Sequence, residues 1–398
     1  MIPVDEAKKL LSKHIPAPCP VVLPLEEAVN HVLASDIEAP MEVPSFDNSA
    51  MDGYAFAFAD FQTEKPLKIS YTIQAGDTRL PVLKRGEAAR IFTGAPIPEG
   101  ADSVVMQEKT EVNNQLLQVL DNGLKKGGNV RRKGTQTAMG EKVLKAGTRL
   151  KAGMIGLLAS LGLKEVSVYT APKIAVIVSG KELVKPGNPL QPGQIYESNS
   201  FALQAALAEM GIKSPLLSSI DDEAEETFNA IAQYLEKCEL LLITGGISVG
   251  DYDYVHQALE RAGVEKIFYK VKQKPGKPLY CGRKRNTLVF GLPGNPGAVL
   301  SCFYQYVKPA IRQMKGMKNT FEAEGLLKLS ANVQKRQGLT HFMKGKMEGE
   351  EVTVLQGQES YKLNAFAESD CLVELEEGKE HFAKGEMVKV YPLEDGAF

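Results

Sequence analysis

Lys173–Ser179 reads KIAVIVS, and Glu239–Thr244 reads ELLLIT. Each is a short, nearly continuous apolar run, as in a strand buried on both faces of a parallel sheet. Working outward, helical spacing covers Ser200–Met210, where Gly211 supplies the stop, and then Glu223–Lys237. A strand ends near Ile220. Downstream come a helix over Tyr254–Ala262, strands over Lys266–Val271 and Thr287–Gly291, and a helix over Gly297–Met314. This alternation predicts a central doubly wound α/β domain, whose ligands lie beyond the carboxyl ends of its strands.

The flanks read differently. Val4–Leu11 has helical spacing and leads into the proline-rich Pro16–Pro24. Leu67–Gln74, Glu87–Phe92 and Ser103–Glu108 are β-leaning and bounded by Gly, Pro or Asp, which predicts a β-rich piece. Residues 147–170 return to a helix and a strand that could rejoin the N-terminal segment, making the β-rich piece an insertion. After Lys315 the helical signal stops, and short alternating strands between Gly and charged turns predict a small C-terminal β-barrel. The expected division is therefore 1–40 with 140–170, an insertion at 41–139, a central domain at 171–316 and a barrel at 317–398.

Composition narrows the class. At 398 residues several domains are expected, and 43% hydrophobic with 24% charged residues is ordinary for a soluble globular protein. A formal net charge of -2 lacks the basic excess of a nucleic-acid or acidic-membrane binder. The five cysteines form no C-x-x-C pair, and reduced thiols in a cytoplasmic protein account for them best. Neither a signal peptide nor a membrane span is expected.

The candidate chemistry lies at the strand ends. Thr244–Tyr254 reads TGGISVGDYDY. Thr244, Gly245, Gly246, Ser248 and Gly250 make a loop whose backbone N–H groups can approach a phosphate. Asp251 and Asp253 in the same turn could hold Mg²⁺ against phosphate oxygens. Taken alone, the loop reads equally as turns, with Asp253 as a helix cap. Glu182, in SGKEL, ends the first strand, and Asp221 and Asp222 follow another. Each alone reads as a helix start, but loops at one sheet edge converge in space. Lys274–Leu279, KPGKPL, is a stiff turn whose Lys274 and Lys277 could clamp a small anion. Residues 261–285 carry nine Lys or Arg against one acid, Glu265. Gly291–Gly297, GLPGNPG, has Pro293 and Pro296 as stiffeners and Asn295 as a helix cap. Asp52 in SAMDGYA, Thr93 in TGAPIPEGAD and the basic NVRRKG segment read individually as turns and surface.

Together, SAMDGYA, FTGAPIPEGADSVVMQE, NVRRKG, SGKEL, IYESNS, TGGISVGDYDY, KPGKPL and GLPGNP resemble, in order, the MoeA-type molybdopterin molybdenumtransferase family, to which the gephyrin E domain also belongs. The resemblance implies a split linker domain, an inserted β-domain, a central domain like the molybdopterin adenylyltransferases and a C-terminal barrel. It implies a homodimer in which Asp52 and Thr93 of one subunit meet Glu182, Asp222, Asp251, Asp253, Pro293 and Pro296 of the other. It further implies adenylylated molybdopterin and molybdate as substrates, Mg²⁺ held by Asp251, Asp253 and Glu182, release of AMP, and a molybdopterin adenylyltransferase as a possible partner.

Three departures from the family pattern stand out. Thr135 and Gln136 replace an acidic pair, Gly297 and Ala298 follow LPGNP, and GLTHFMK (Gly338–Lys344) replaces G-R-x-E-F-x-R. Lys344 could replace a lost arginine, although an ammonium does not reproduce the guanidinium fork. The alternatives are an adenylyltransferase, which needs only residues about 171–315, and a non-catalytic gephyrin-like scaffold.

Overall fold

The computed structural model describes residues 1–221, 223–247 and 254–394. The chain divides into two compact units, Met1–Val21 with Tyr169–Phe398, and Val22–Val168.

In the first unit a six-stranded sheet runs in the order Leu216–Ile220, Ile174–Ser179, Leu240–Thr244, Thr287–Leu292, Tyr280–Lys284, Glu265–Tyr269. The first four strands are parallel and the last two pair antiparallel. Side chains alternate across a strand, so the apolar runs supply two cores at once. Val176, Leu242 and Phe290 lie in register and join Leu203, Val299 and Phe303 on one face. Ala7 and Leu11 of the helix Val4–His14 belong to that same core. Ala175, Ile177, Leu241 and Val289 pack on the other face against Ile231, Leu235 and Leu259. Helices on both faces make the sheet doubly wound, as the sequence predicts. Truncating a fully buried member such as Phe290 to Ala would cost roughly 3–5 kcal/mol.

Tyr280–Lys284 was not expected as a strand. Its glycine and basic end hide a ladder to Thr287–Leu292, which closes through Arg285 at φ 51°. Beyond it, Thr340–Glu348, Glu351–Val354, Gly325–Leu329, Met387–Pro392 and Cys371–Leu375 pair in that order, and the last pairs back to the first. The result is the closed five-stranded barrel the alternating pattern predicts, filled by Leu329, Val352, Val373 and Val390. The Thr340–Glu348 strand pairs with Glu351–Val354 only from Gly345 on, so its first residues remain open to a further partner. Gln273–Lys274 adds a parallel rung to Thr340–His341, which carries the KPGKPL turn onto the barrel.

In the second unit a six-stranded sheet is built from Ser103–Met106, Gly53–Phe56, Glu87–Ile91, Leu67–Ile73, Leu116–Val119 and Thr110–Asn113. Leu25, Leu33, Leu150, Leu158 and Val166 form a separate core in this unit, joining residues before and after the sheet.

Candidate active site

Thr244 ends its strand fully buried, and the chain turns at Gly245 with φ +89°. A Cβ at Gly245 would stand 2.1 Å from the Ser179 carbonyl oxygen, so only glycine lets this loop lie against the neighbouring strand end. The Tyr269 hydroxyl donates to the Ile247 carbonyl at 3.0 Å and pins the far side of the turn. Asn199 Nδ2 donates to Thr244 Oγ1 at 2.7 Å and to the Gly294 carbonyl at 2.9 Å. Thr244 Oγ1 in turn donates to the Pro293 carbonyl at 3.4 Å. Three loops are thereby tied at one sheet edge.

Between them lies a cavity of about 580 Å³. Glu182, Thr244, Gly245, Gly246, Pro293, Asn295 and Pro296 all line it, so the structure brings these residues together. Tyr196, Asn199 and Tyr361 join them; the first two lie in the IYESNS segment, which had no role assigned from sequence, and Tyr361 lies in none of the quoted segments. Backbone amides, a carboxylate and two phenol rings suit a phosphorylated ligand with a flat ring system. Asp222, Ser248, Gly250, Asp251 and Asp253 lie outside the described residues.

Asn295 departs from expectation. It occupies the cap position of the helix Pro296–Cys302, but its side chain makes no capping bond and donates to Ser360 Oγ at 2.9 Å. The helix start is taken instead by the Ser360 carbonyl, which accepts from Ala298 N at 3.1 Å. A Cβ at residue 297 would meet that carbonyl oxygen at 2.8 Å, which explains the glycine there.

The KPGKPL turn is held from within. Gln273, 1% exposed, donates from Nε2 to the Gly276 carbonyl at 3.0 Å, and its Oε1 accepts from the Tyr306 hydroxyl at 2.5 Å. Lys274 precedes a cis Pro275. Lys274 and Lys277 are both exposed. Lys274 and Pro275 line a second cavity, of about 660 Å³, together with Lys335, Arg336 and His341, while Pro278 lines the first. No acidic residue lines this second cavity among the described residues.

Lys335 is 6% exposed, and its ammonium donates to the Arg336, Leu339 and Glu377 carbonyls at 3.0–3.4 Å. Burial, with the neighbouring Lys335 and Lys274 charges, lowers the His341 pKa to about 4. The cavity's charge at neutral pH is therefore carried by Lys and Arg. Lys335 and Arg336 were missed because a basic pair in a short turn reads as surface. Lys344 does not replace a lost arginine. It is fully buried, donates to the Gly357 carbonyl at 3.1 Å and lies over the Phe366 ring, where it holds the 357–360 loop.

In the Val22–Val168 unit, Asp52 and Thr93 meet across 41 positions of sequence. Asp52 Oδ1 accepts from Thr93 N at 2.8 Å and Thr93 Oγ1 at 2.7 Å. These bonds, the backbone one first, lower the Asp52 pKa. The basic segment is committed to structure: Arg132 pairs with Asp47 at 2.6 Å and Lys133 with Glu42 at 2.6 Å.

Among the described residues, no group of three or more His, Cys, Asp or Glu could hold a metal ion. Glu197, in the wall of the first cavity, uses its carboxylate on Ser200 N and Oγ. All five cysteines are free, and no described helix is long and apolar enough to cross a membrane.

Three family models match in order. The MoeA N-terminal region (domain I and II) covers residues 2–162, a model described as "Probable molybdopterin binding domain" covers 175–313, and the MoeA C-terminal region (domain IV) covers 327–393. The molybdopterin molybdenumtransferase of Haemophilus influenzae is 36% identical over 400 residues, 99% of each chain. Molybdopterin molybdenumtransferase 2 of Mycobacterium tuberculosis is 32% identical over 404 residues, 98% of this chain and 99% of that one. The crystal structure of a molybdopterin biosynthesis MoeA protein from Pyrococcus horikosii superimposes with a TM-score of 0.86 at 30% identity, covering 99% of both chains. Similarity that runs end to end through every part of the pattern has one reading: the chain belongs to the MoeA family of molybdopterin molybdenumtransferases.

Proposed function

We propose that this chain transfers molybdenum from molybdate to the dithiolene of adenylylated molybdopterin, with release of AMP. The observation that carries the reading is end-to-end similarity to proteins named molybdopterin molybdenumtransferase. Two cavities that share the KPGKPL turn add chemical support, one suited to a phosphorylated ring system and one basic.

In this reading the Thr244–Gly246 backbone, with Ser248 and Gly250, receives the phosphate, and Pro293, Asn295 and Pro296 shape the opposite wall. Lys274 and Lys277, in the field of Lys335 and Arg336, hold the tetrahedral oxyanion beside the dithiolene and supply proximity. Mg²⁺ would be held by Glu182 with Asp251 and Asp253. Glu182 is a hard oxygen donor in the cavity wall, which suits that ion. The chemistry such an ion would supply is neutralisation of charge on the phosphate link. Asp222, Asp52 and Thr93 complete the site, the last two from the second subunit of a homodimer. The subunit divides as 1–40 with 140–170, 41–139, 171–316 and 317–398, a reading supported by the core shared across residues 25–33 and 150–166. The protein works in the cytoplasm, downstream of a molybdopterin adenylyltransferase.

The test supplies purified protein with adenylylated molybdopterin, molybdate and Mg²⁺, and follows pterin-bound molybdenum and free AMP. The expected result is equimolar appearance of both. A parallel reaction holds molybdopterin and ATP instead; adenylylation there, with no molybdenum transfer in the first, would overturn the reading in favour of an adenylyltransferase.

A further inference from the structure

Asn199 is 8% exposed and stands in the wall of the first cavity, as the first residue of the helix Asn199–Glu209. Its amide nitrogen is fully used on Thr244 Oγ1 and the Gly294 carbonyl. The orientation is fixed chemically, because a backbone carbonyl only accepts and so must face the amide nitrogen. Asn199 Oδ1 is thereby the atom left over, and it has no hydrogen-bond partner. Buried polar atoms in native proteins are almost always paired, so a buried acceptor held unpaired in a cavity wall points to a donor that arrives from outside.

We propose that Asn199 is a specificity-determining residue. Its Oδ1 accepts a hydrogen bond from a neutral N–H or O–H group of the bound pterin nucleotide. This rests on the reading of the cavity as the adenylylated pterin's site. Nδ2 sets the geometry, since its two bonds lock the carboxamide to the ends of two strands, and Oδ1 reads the ligand. A cation is the poorer fit. The oxygens nearest the amide, Thr244 Oγ1 and the Gly294 carbonyl, are already engaged, and no metal-ligating cluster surrounds it among the described residues. A site that keeps a buried acceptor for its ligand rejects analogues lacking the donor, because the acceptor then stays desolvated and unpaired.

The experiment is calorimetric binding to the full-length protein, using AMP, 2′,3′-dideoxy-AMP, purine riboside 5′-monophosphate and molybdopterin. Wild type, Asn199→Ala and Asn199→Ser are compared, with thermal unfolding as the check on folding. If the donor is a ribose hydroxyl or the adenine amine, wild type binds the analogue lacking it roughly 10- to 100-fold more weakly than AMP. Asn199→Ala then binds parent and analogue alike. If the donor is on the pterin, Asn199→Ala loses affinity for molybdopterin and keeps that for AMP. The ligand panel on wild type stands even if a variant folds poorly, and Asn199→Ser, which retains a hydroxyl, should recover part of the discrimination. A uniform loss for every ligand, with no analogue distinguished by wild type, would overturn the proposal and leave Asn199 an anchor of the loops. Failure of wild type to bind any of these ligands would refute the cavity reading itself.

Discussion

Asp52 accepts two hydrogen bonds from Thr93, one from the backbone and one from the hydroxyl, and both favour the ionised form. An asparagine there keeps an acceptor for the same donors and removes only the charge. Asp52→Asn should therefore lower cofactor formation by roughly 100-fold or more. The melting temperature should stay within ~2 °C of wild type. Near-normal turnover would remove Asp52 from the site. His341 makes a different prediction. Its folded-state pKa of about 4 lies below the ordinary 6.5, so between those values the unfolded chain binds the extra proton. Stability from this group is complete above about pH 6.5 and is lost as pH falls towards 4. Thermal unfolding followed from pH 7 to 4.5 should show that loss, and His341→Asn should flatten it. An identical pH dependence in the variant would place the proton uptake elsewhere.

At the scale of elements, Gln273 and Tyr306 hold the KPGKPL turn with two hydrogen bonds in the core. Gln273→Ala would leave the Gly276 carbonyl and the Tyr306 hydroxyl unpaired, and each such loss costs about 1–3 kcal/mol. Denaturant unfolding should show a loss of ~2–4 kcal/mol, with about half of it in Tyr306→Phe. The variant should also need more molybdate while binding adenylylated pterin normally. Unchanged stability would mean that the turn is held by its prolines alone. The same turn shows what a sequence can and cannot disclose. KIAVIVS and ELLLIT were legible because strands buried on both faces are apolar at every position. YCGRK was not, since its glycine and half-buried Arg283 and Lys284 interrupt the apolar run and its ladder depends on a hairpin partner. Lys335 and Lys344 look like surface lysines, yet both are buried on backbone carbonyls, an arrangement that only barrel closure creates. Glu182, Thr244 and Asn295 could be placed at one sheet edge by the rule for strand ends. Asn199 could not, because its role depends on which of its amide atoms is left unpaired.

At the scale of the whole molecule, the homodimer proposed above, with its site shared between subunits, has a direct consequence. Asp52→Asn and Glu182→Gln proteins, each inactive, should regain part of the activity when mixed under subunit exchange, since one site of a mixed dimer is then wild type at both positions. No recovery despite proven exchange would confine the site to one chain. In the proposed function the basic cavity beside KPGKPL takes the metal oxyanion while the neighbouring cavity takes the pterin nucleotide. Lys274 stands in a cavity with Lys335, Arg336 and His341, and an exposed ammonium there attracts anions in a way that screening weakens above about 0.15 M salt. The most direct measurement is a molybdate titration of cofactor formation by wild type, Lys274→Gln and Lys277→Gln, alongside direct binding of adenylylated molybdopterin to each. Both variants should show a molybdate requirement raised about tenfold or more, with pterin-nucleotide affinity nearly unchanged. An unchanged molybdate requirement with collapsed pterin affinity would contradict this assignment and make these lysines phosphate ligands.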